Sequence, residues 1–370
     1  MLIFSCAFTQ VAQTQTAITN DNIAAAVTAW VTNPTTAAAT YGNIGDWNTA
    51  AVSTIYQLFD NKPTFNADIG KWNVASVSNM EEMLRSATAF NGNIGSWNTA
   101  SVSTMWSMFY GATAFNVDIG SWNTARVVSL RSMFESATFF NVNIGAWNVA
   151  SVTIMWAMFA VTTFSGNIGS WNTARVTNMQ EMFYKATTFN QDISKWNVAF
   201  VTVFTGGSGL GMFNGASAFD QNLAAWNVLR VSNLVSAFDS ASALSSCNKG
   251  AIYLAWGTTL RTAYPTFLSI ASISSFSPQN TQVSGAATLT VLGANFQCSD
   301  LSPSAYISGQ PCATTAWTTT TQLVCAAPAP VLVGAGRAAW VRVFTNTASR
   351  GFTFDGTSPP HASLAACWRA

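Results

Sequence analysis

DIGKWNVASVSNMEEML, residues 68–84, is one turn of a pattern that the chain writes eight times. Trp-Asn pairs begin at Trp47, Trp72, Trp97, Trp122, Trp147, Trp171, Trp196 and Trp226, in steps of 25, 25, 25, 25, 24, 25 and 30 residues. Other columns keep their offsets. Ile or Leu stands three before each Trp (Ile44 to Leu223), Val five after it (Val52 to Val231), and Phe seven before it (Phe65 to Phe219). Pairs such as Met83-Leu84 and Met108-Phe109 follow further on. A fixed period near 25 residues marks stacked coils, because one coil alone cannot bury a Trp, an Ile, a Val, a Met and two Phe.

Within Ile-x-x-Trp-Asn-Val, alternation places Trp and the next-but-one residue inside and Asn outside. This predicts one short strand per coil, and the Met-x-x-Met-Phe spacing predicts a helical or 3₁₀ turn on the other side. The Asn, Asp and Gly around Asn66–Gly70 supply the corner. The shortened step loses a residue between Phe159 and Phe164. The lengthened one adds five within FTGGSGLG, as a surface loop would. Asn20 or Asp21 is expected to cap a helix IAAAVTAWV, stopped by Asn33-Pro34, and CNKGAIYLAWGTTLRTAY reads as a closing helix ended by Pro265.

Composition sets outer bounds. Only 8% of the 370 residues are charged, net charge is +1, and hydrophobic residues make up 49%. Nothing there favours nucleic acid or an anionic membrane. No run reaches the ~18 apolar residues of a spanning helix. MLIFSCAF followed by VAQTQ reads as a weak or truncated secretory signal, with an ordinary chain end as the other reading.

DIGKWNVASVSNMEEML resembles BspA-like leucine-rich-repeat surface proteins over about residues 20–265. The resemblance implies a right-handed repeat solenoid, secreted or surface-attached, often linked with adhesion. The family often writes Trp-Asn-Val-Ser, whereas this chain has Ala75, Ala100, Ala150 or Leu229 in the last place. After Pro265 short alternating strands begin: TLTVLGANF, YISGQPC, QLVCAAP, AAWVRVF and GFTF. Their order resembles the IPT/TIG domain, which implies an immunoglobulin-like fold, with Gly285-Ala286 where that family has Gly-Gly. Arg337, Arg342 and Arg350 are too few for a DNA-facing role, so an extracellular one is expected.

The expected fold class is therefore a right-handed leucine-rich-repeat-type β/α solenoid of about eight coils followed by an all-β immunoglobulin-like sandwich. The expected organisation is a leader at 1–19, a capping helix at 20–40, repeats at 41–246, a cap at 247–268, the IPT/TIG domain at 269–356 and a tail at 357–370.

Of the six cysteines, Cys312 and Cys325 sit where the IPT/TIG resemblance implies a disulfide; two buried free thiols are the other reading. Cys247, Cys298 and Cys367 cannot be paired from sequence. The only histidine is His361, so the repeats hold no His-based triad or His metal site. Asp68, Asp118 and Asp192 share a column with Asn43, Asn93, Asn143, Asn167 and Asn222, which favours a turn hydrogen bond over calcium or catalysis. No catalytic residue, metal or cofactor is expected.

The outward row Asn73, Asn98, Asn123, Asn148, Asn172 and Asn197 is the candidate binding face. A solvated ladder that stabilises the stack is the equal alternative. No Asn-x-Ser/Thr sequon occurs with Pro excluded at x, which would keep that face free of glycans in a secreted eukaryotic protein. The expectation is a non-enzymatic secreted or cell-surface protein that binds an extracellular protein or glycan. A structural spacer displaying the second domain is the alternative.

Overall fold

The computed structural model describes residues 15–265, Phe267 and the backbone of eight strands between Ser272 and Thr353. Residues 1–14 of the leader expected at 1–19, His361 and the tail, and Cys6, Cys298, Cys312 and Cys367 lie outside the described residues, as does the side chain of Cys325. The chain divides into two compact units: residues 1–244 with 252–265, and residues 245–251 with 266–370.

The first unit is a stack of coils. Its core is a set of aromatic columns. Phe90, Phe115 and Phe140 stack at 6.2 and 6.1 Å between centroids, and Phe109, Phe134 and Phe159 at 5.7 and 6.0 Å. Trp97, Trp122 and Trp147 stack at 6.3 and 6.5 Å with planes within 6°. The indoles also bond from coil to coil. Nε1 of Trp97 donates to the Ile69 carbonyl at 3.2 Å, Trp122 to Ile94 at 3.1 Å and Trp147 to Ile119 at 3.0 Å. Each Trp thus fills the core and satisfies its one polar atom, as a buried indole must.

The coils are not built from strands and helices. Among residues 47–245 the β-type pairing between coils is a run of isolated parallel bridges through Thr54, Asn79, Thr104, Ser129, Ile154, Asn178 and Val203. Ile-x-x-Trp is a turn rather than a strand, since Trp72 N donates to Ile69 O at 3.1 Å. The Met-x-x-Met-Phe segment is not helical either. Leu58 N donates to Ile55 O and Lys62 N to Phe59 O, both at 3.3 Å. The third residues of these turns, Gln57 and Asn61, have φ of 54° and 57°, the mark of type II turns. Alternate N–H groups leave the coil altogether: Gln57 donates to Glu81 O at 3.0 Å, Phe59 to Met83 O at 2.8 Å and Asn61 to Arg85 O at 2.8 Å. A helix would consume those donors internally and leave the neighbouring coil's carbonyls unpaired.

The expected fold class, a β/α solenoid followed by an all-β sandwich, is overturned. The repeats contain no strand and no α-helix. In the second unit, strands β1 (Ser272–Ser277), β2 (Thr288–Ala294), β3 (Ser304–Ile307), β4 (Gln310–Pro311), β5 (Thr314–Thr319), β6 (Gln322–Ala326), β7 (Trp340–Thr345) and β8 (Ala348–Thr353) form two separate antiparallel sheets. Their orders are β1-β2-β6-β5 and β4-β3-β7-β8. Cys247, left unpaired by the sequence, is disulfide-bonded.

Glycine in the column two before Trp follows from close approach. A Cβ on Gly70 would stand 2.4 Å from the Asn93 carbonyl oxygen of the next coil, and one on Gly95 2.4 Å from that of Asp118.

Both ends are closed, but not quite as expected. Helix α1 runs Ile23–Thr32 with Asn22, not Asn20 or Asp21, at its N-cap position. Asn33 ends α1 and caps a second helix, α2 (Pro34–Tyr41), by accepting from Thr36 N at 3.1 Å. Asn20 instead serves the first coil: its Oδ1 accepts from Ser53 N at 2.9 Å. In the next coil the equivalent donor, Ser78 N, bonds the Ser53 carbonyl at 2.9 Å. Asn20 thus replaces the backbone of a coil that does not exist. At the other end, α3 (Ser246–Ala263) kinks at Gly257 and buries Ile252, Trp256 and Leu260. No described helix is long and apolar enough to cross a membrane.

Candidate functional site

The Asn row is exposed, as its column predicts, at Asn73, Asn98, Asn123, Asn148, Asn172 and Asn197. Each side chain has a local task. Oδ1 accepts the N–H two residues on: Asn73 from Ala75 at 3.1 Å, Asn98 from Ala100 at 3.2 Å, Asn123 from Ala125 at 3.1 Å and Asn148 from Ala150 at 3.1 Å. Asn172 bonds Ala174 at 3.2 Å and Asn197 bonds Ala199 at 3.1 Å in the same way. These are Asx turns, and they account for the repetition of Asn without a ligand.

The Asp/Asn column four before Trp does the same work one corner earlier. Asp68 accepts from Gly70 N, Asp118 from Gly120 N and Asp192 from Ser194 N, all at 2.9 Å, and Asn93 accepts from Gly95 N at 3.1 Å. The Ser194 hydrogen bonds hold the Asp192 carboxyl below its ordinary range. Among the described residues no three His, Cys, Asp or Glu side chains gather as a metal site.

A different face carries the side chains that depart from the repeat. The turn segments bring Glu82, Arg85, Trp106, Tyr110, Arg131, Glu135, Trp156 and Glu181 around one open groove of about 270 Å³. They come from five successive coils, at the positions nine, ten and thirteen after the ladder Trp. Arg131 lies between two indoles, its guanidinium carbon 4.6 Å from the Trp106 ring centroid and 3.9 Å from that of Trp156. Such cation–π contacts favour the charged side chain over a rotamer spread into water. Arg85 lies 5.8 Å from the Tyr110 ring and within 3.6 Å of Glu82 and 3.8 Å of Asp60.

The carboxylates are held in place. Burial pushes the Glu135 carboxyl up from its ordinary range; a hydrogen bond from Ser132 and the charge of Arg131 pull it back in part, while Glu181 adds to the rise. Glu181 accepts from Gln180 Nε2 at 2.9 Å and from the hydroxyl of Ser208. Ser208 belongs to the five-residue insertion, which forms a loop as its Gly-rich sequence predicts and rejoins the stack where Phe183 N donates to Met212 O at 2.9 Å. The insertion therefore positions one wall of the groove.

The sequence reading missed this groove, although two signals were present. The chain has four glutamates, Glu81, Glu82, Glu135 and Glu181, and all four fall in the turn segments of the repeats. Trp106 and Trp156 stand outside the ladder column. Both signals become visible only when the repeats are aligned and the deviations, not the consensus, are read.

No characterised protein and no solved structure matches the chain. The IPT/TIG domain family matches residues 271–358, over the strands of the second unit. A family described as "Mycoplasma protein of unknown function, DUF285" matches residues 28–147 and again 128–251. These two matches cover the coils, both corners of every repeat and more than half of the 370 residues, and the chain belongs to that family.

Proposed function

We propose that the chain is a non-enzymatic recognition protein of the cell surface or extracellular space, binding a protein or glycan partner through the surface of its repeats. Both family matches are consistent with a surface or extracellular protein. The disulfide at Cys247 suits an oxidising compartment. The BspA-like resemblance, with its link to adhesion, points the same way.

One observation carries the reading. In a chain only 8% charged, half-buried aromatic and charged side chains from five successive coils converge on one groove. Solenoids keep a constant frame and vary the contact residues, and Trp, Tyr and Arg are the residues that dominate contact energies. The spacer reading is favoured by the Asx turns, which give the Asn row a purely structural task.

The test sets the two faces against each other on glycan and protein arrays. Ala100→Ser or Ala150→Ser creates a sequon at Asn98 or Asn148 and puts a glycan on the Asn row. Glu135→Gln and Arg131→Gln alter the groove. Binding lost only with the groove variants places recognition there, and binding lost only with the glycan places it on the Asn row. A protein that binds nothing on either array is a spacer.

A further inference from the structure

We propose that the groove around Arg131 is a binding subsite for a neutral saccharide ring, a proposal that rests on the recognition reading and names its ligand class.

The first ground is an unused donor. Arg131 Nε is buried and has no hydrogen-bond partner. Among the described residues no carboxylate lies within ion-pair distance of this guanidinium. Buried polar groups are paired in the great majority of cases, and an orphan calls for a reason. Here two indoles clamp the guanidinium at a groove wall, fixing it without satisfying it.

The second ground is the balance of chemistry around it. Three carboxylates, Glu82, Glu135 and Glu181, face two guanidiniums, and Arg85 is already shared between Glu82 and Asp60. An anionic ligand would meet a surplus of like charge. A cationic ligand would need the indole faces that Arg131 occupies. An apolar ligand would strip water from several charges without replacing their hydrogen bonds. A polyhydroxyl ring fits, because each hydroxyl both donates and accepts. It can donate to Glu135 and Glu181 and accept from Arg131 in the same pose.

The third ground is size and preorganisation. A groove of about 270 Å³ is at the small end of ligand clefts, whereas a protein partner would cover on the order of 800 Å² of surface. Glu181 is fixed by Gln180 and Ser208, so little ordering cost falls on that carboxylate when it binds.

The experiment titrates the full chain with a panel of neutral hexose and N-acetylhexosamine oligosaccharides, with acidic oligosaccharides as the contrast. Thermal melts confirm that each variant folds. At least one neutral saccharide should bind, and Glu135→Gln and Arg131→Gln should each weaken it about tenfold or more, the loss of one charged hydrogen bond. Asn123→Ala should leave affinity within twofold. Saccharide binding that survives both groove variants overturns the site while leaving the recognition reading standing. A protein ligand lost in those variants, with no saccharide bound, overturns the ligand class. Silence on saccharide and protein arrays alike overturns both this proposal and the reading beneath it.

Discussion

Trp256, on a helix, stacks on Trp226 of the last full repeat at 6.1 Å and 9°, and its Nε1 donates to the Leu223 carbonyl at 3.0 Å. The indole ladder of the coils therefore ends on a residue that belongs to no coil. The same helix end ties down its neighbour: Tyr264 accepts from Phe238 N and donates to Asp239 Oδ1, both at 2.8 Å. Trp256→Phe loses the hydrogen bond and part of the stacked ring, at a cost of about 1–3 kcal/mol. Trp256→Ala should cost about 3–5 kcal/mol and expose amides of residues 223–244 to hydrogen exchange first. Uniform exchange along the stack would show that α3 is not the cap.

Trp122 is 3% exposed and bonds Ile94, while Asn123 beside it is exposed and makes one local bond. Trp122→Ala should lose about 3–5 kcal/mol in denaturant melts, and Asn123→Ala about 0.5–1.5 kcal/mol. Equal losses would invert the assignment of inside and outside.

Val161 has φ of 57°, in a column whose other members include Gly111 and Gly215 at 65° and 73°. A β-branched side chain is strained there. Val161→Gly should raise stability by about 1 kcal/mol, the left-handed penalty offset in part by the greater freedom of Gly when unfolded. A lower melting temperature for the variant would mean that Val161 packing outweighs the strain.

Glu135 titrates above its ordinary range because burial disfavours its charge. A carboxyl raised in the folded state costs stability above its folded pKa. The cost is relieved as pH falls through that value toward the unfolded one. Glu135→Gln should therefore melt at or above the parent at neutral pH, with the difference shrinking toward pH of about 4, near the unperturbed Glu value. A gap that stays constant across that range would exclude burial as the cause.

The repeat columns were legible because a fixed period fixes register. Once Trp122 is assigned inside, every Trp, Ile, Val and Phe at the same offset follows, and all of them are buried. The Asp68 and Asp118 column exchanges freely with Asn, which points to a turn, and each side chain makes that bond. The insertion loop and the closing helix were also marked, by Gly-rich sequence and by helical spacing ended at Pro265.

What the coil is made of was not legible. Strand and helix were inferred from spacing within one repeat, but the donors at Gln57, Phe59 and Asn61 find their acceptors in the following repeat. That choice of partner exists only when coils are stacked, and it turns a helix-spaced segment into successive turns. The groove arose the same way. Glu82, Arg131 and Glu181 are far apart along the chain, and each looks like a stray substitution in its own repeat. Sequence determined which residues each coil buries, because burial depends on the column alone. Tertiary structure decided the backbone hydrogen bonds and the company each exposed side chain keeps, because both are relations between coils.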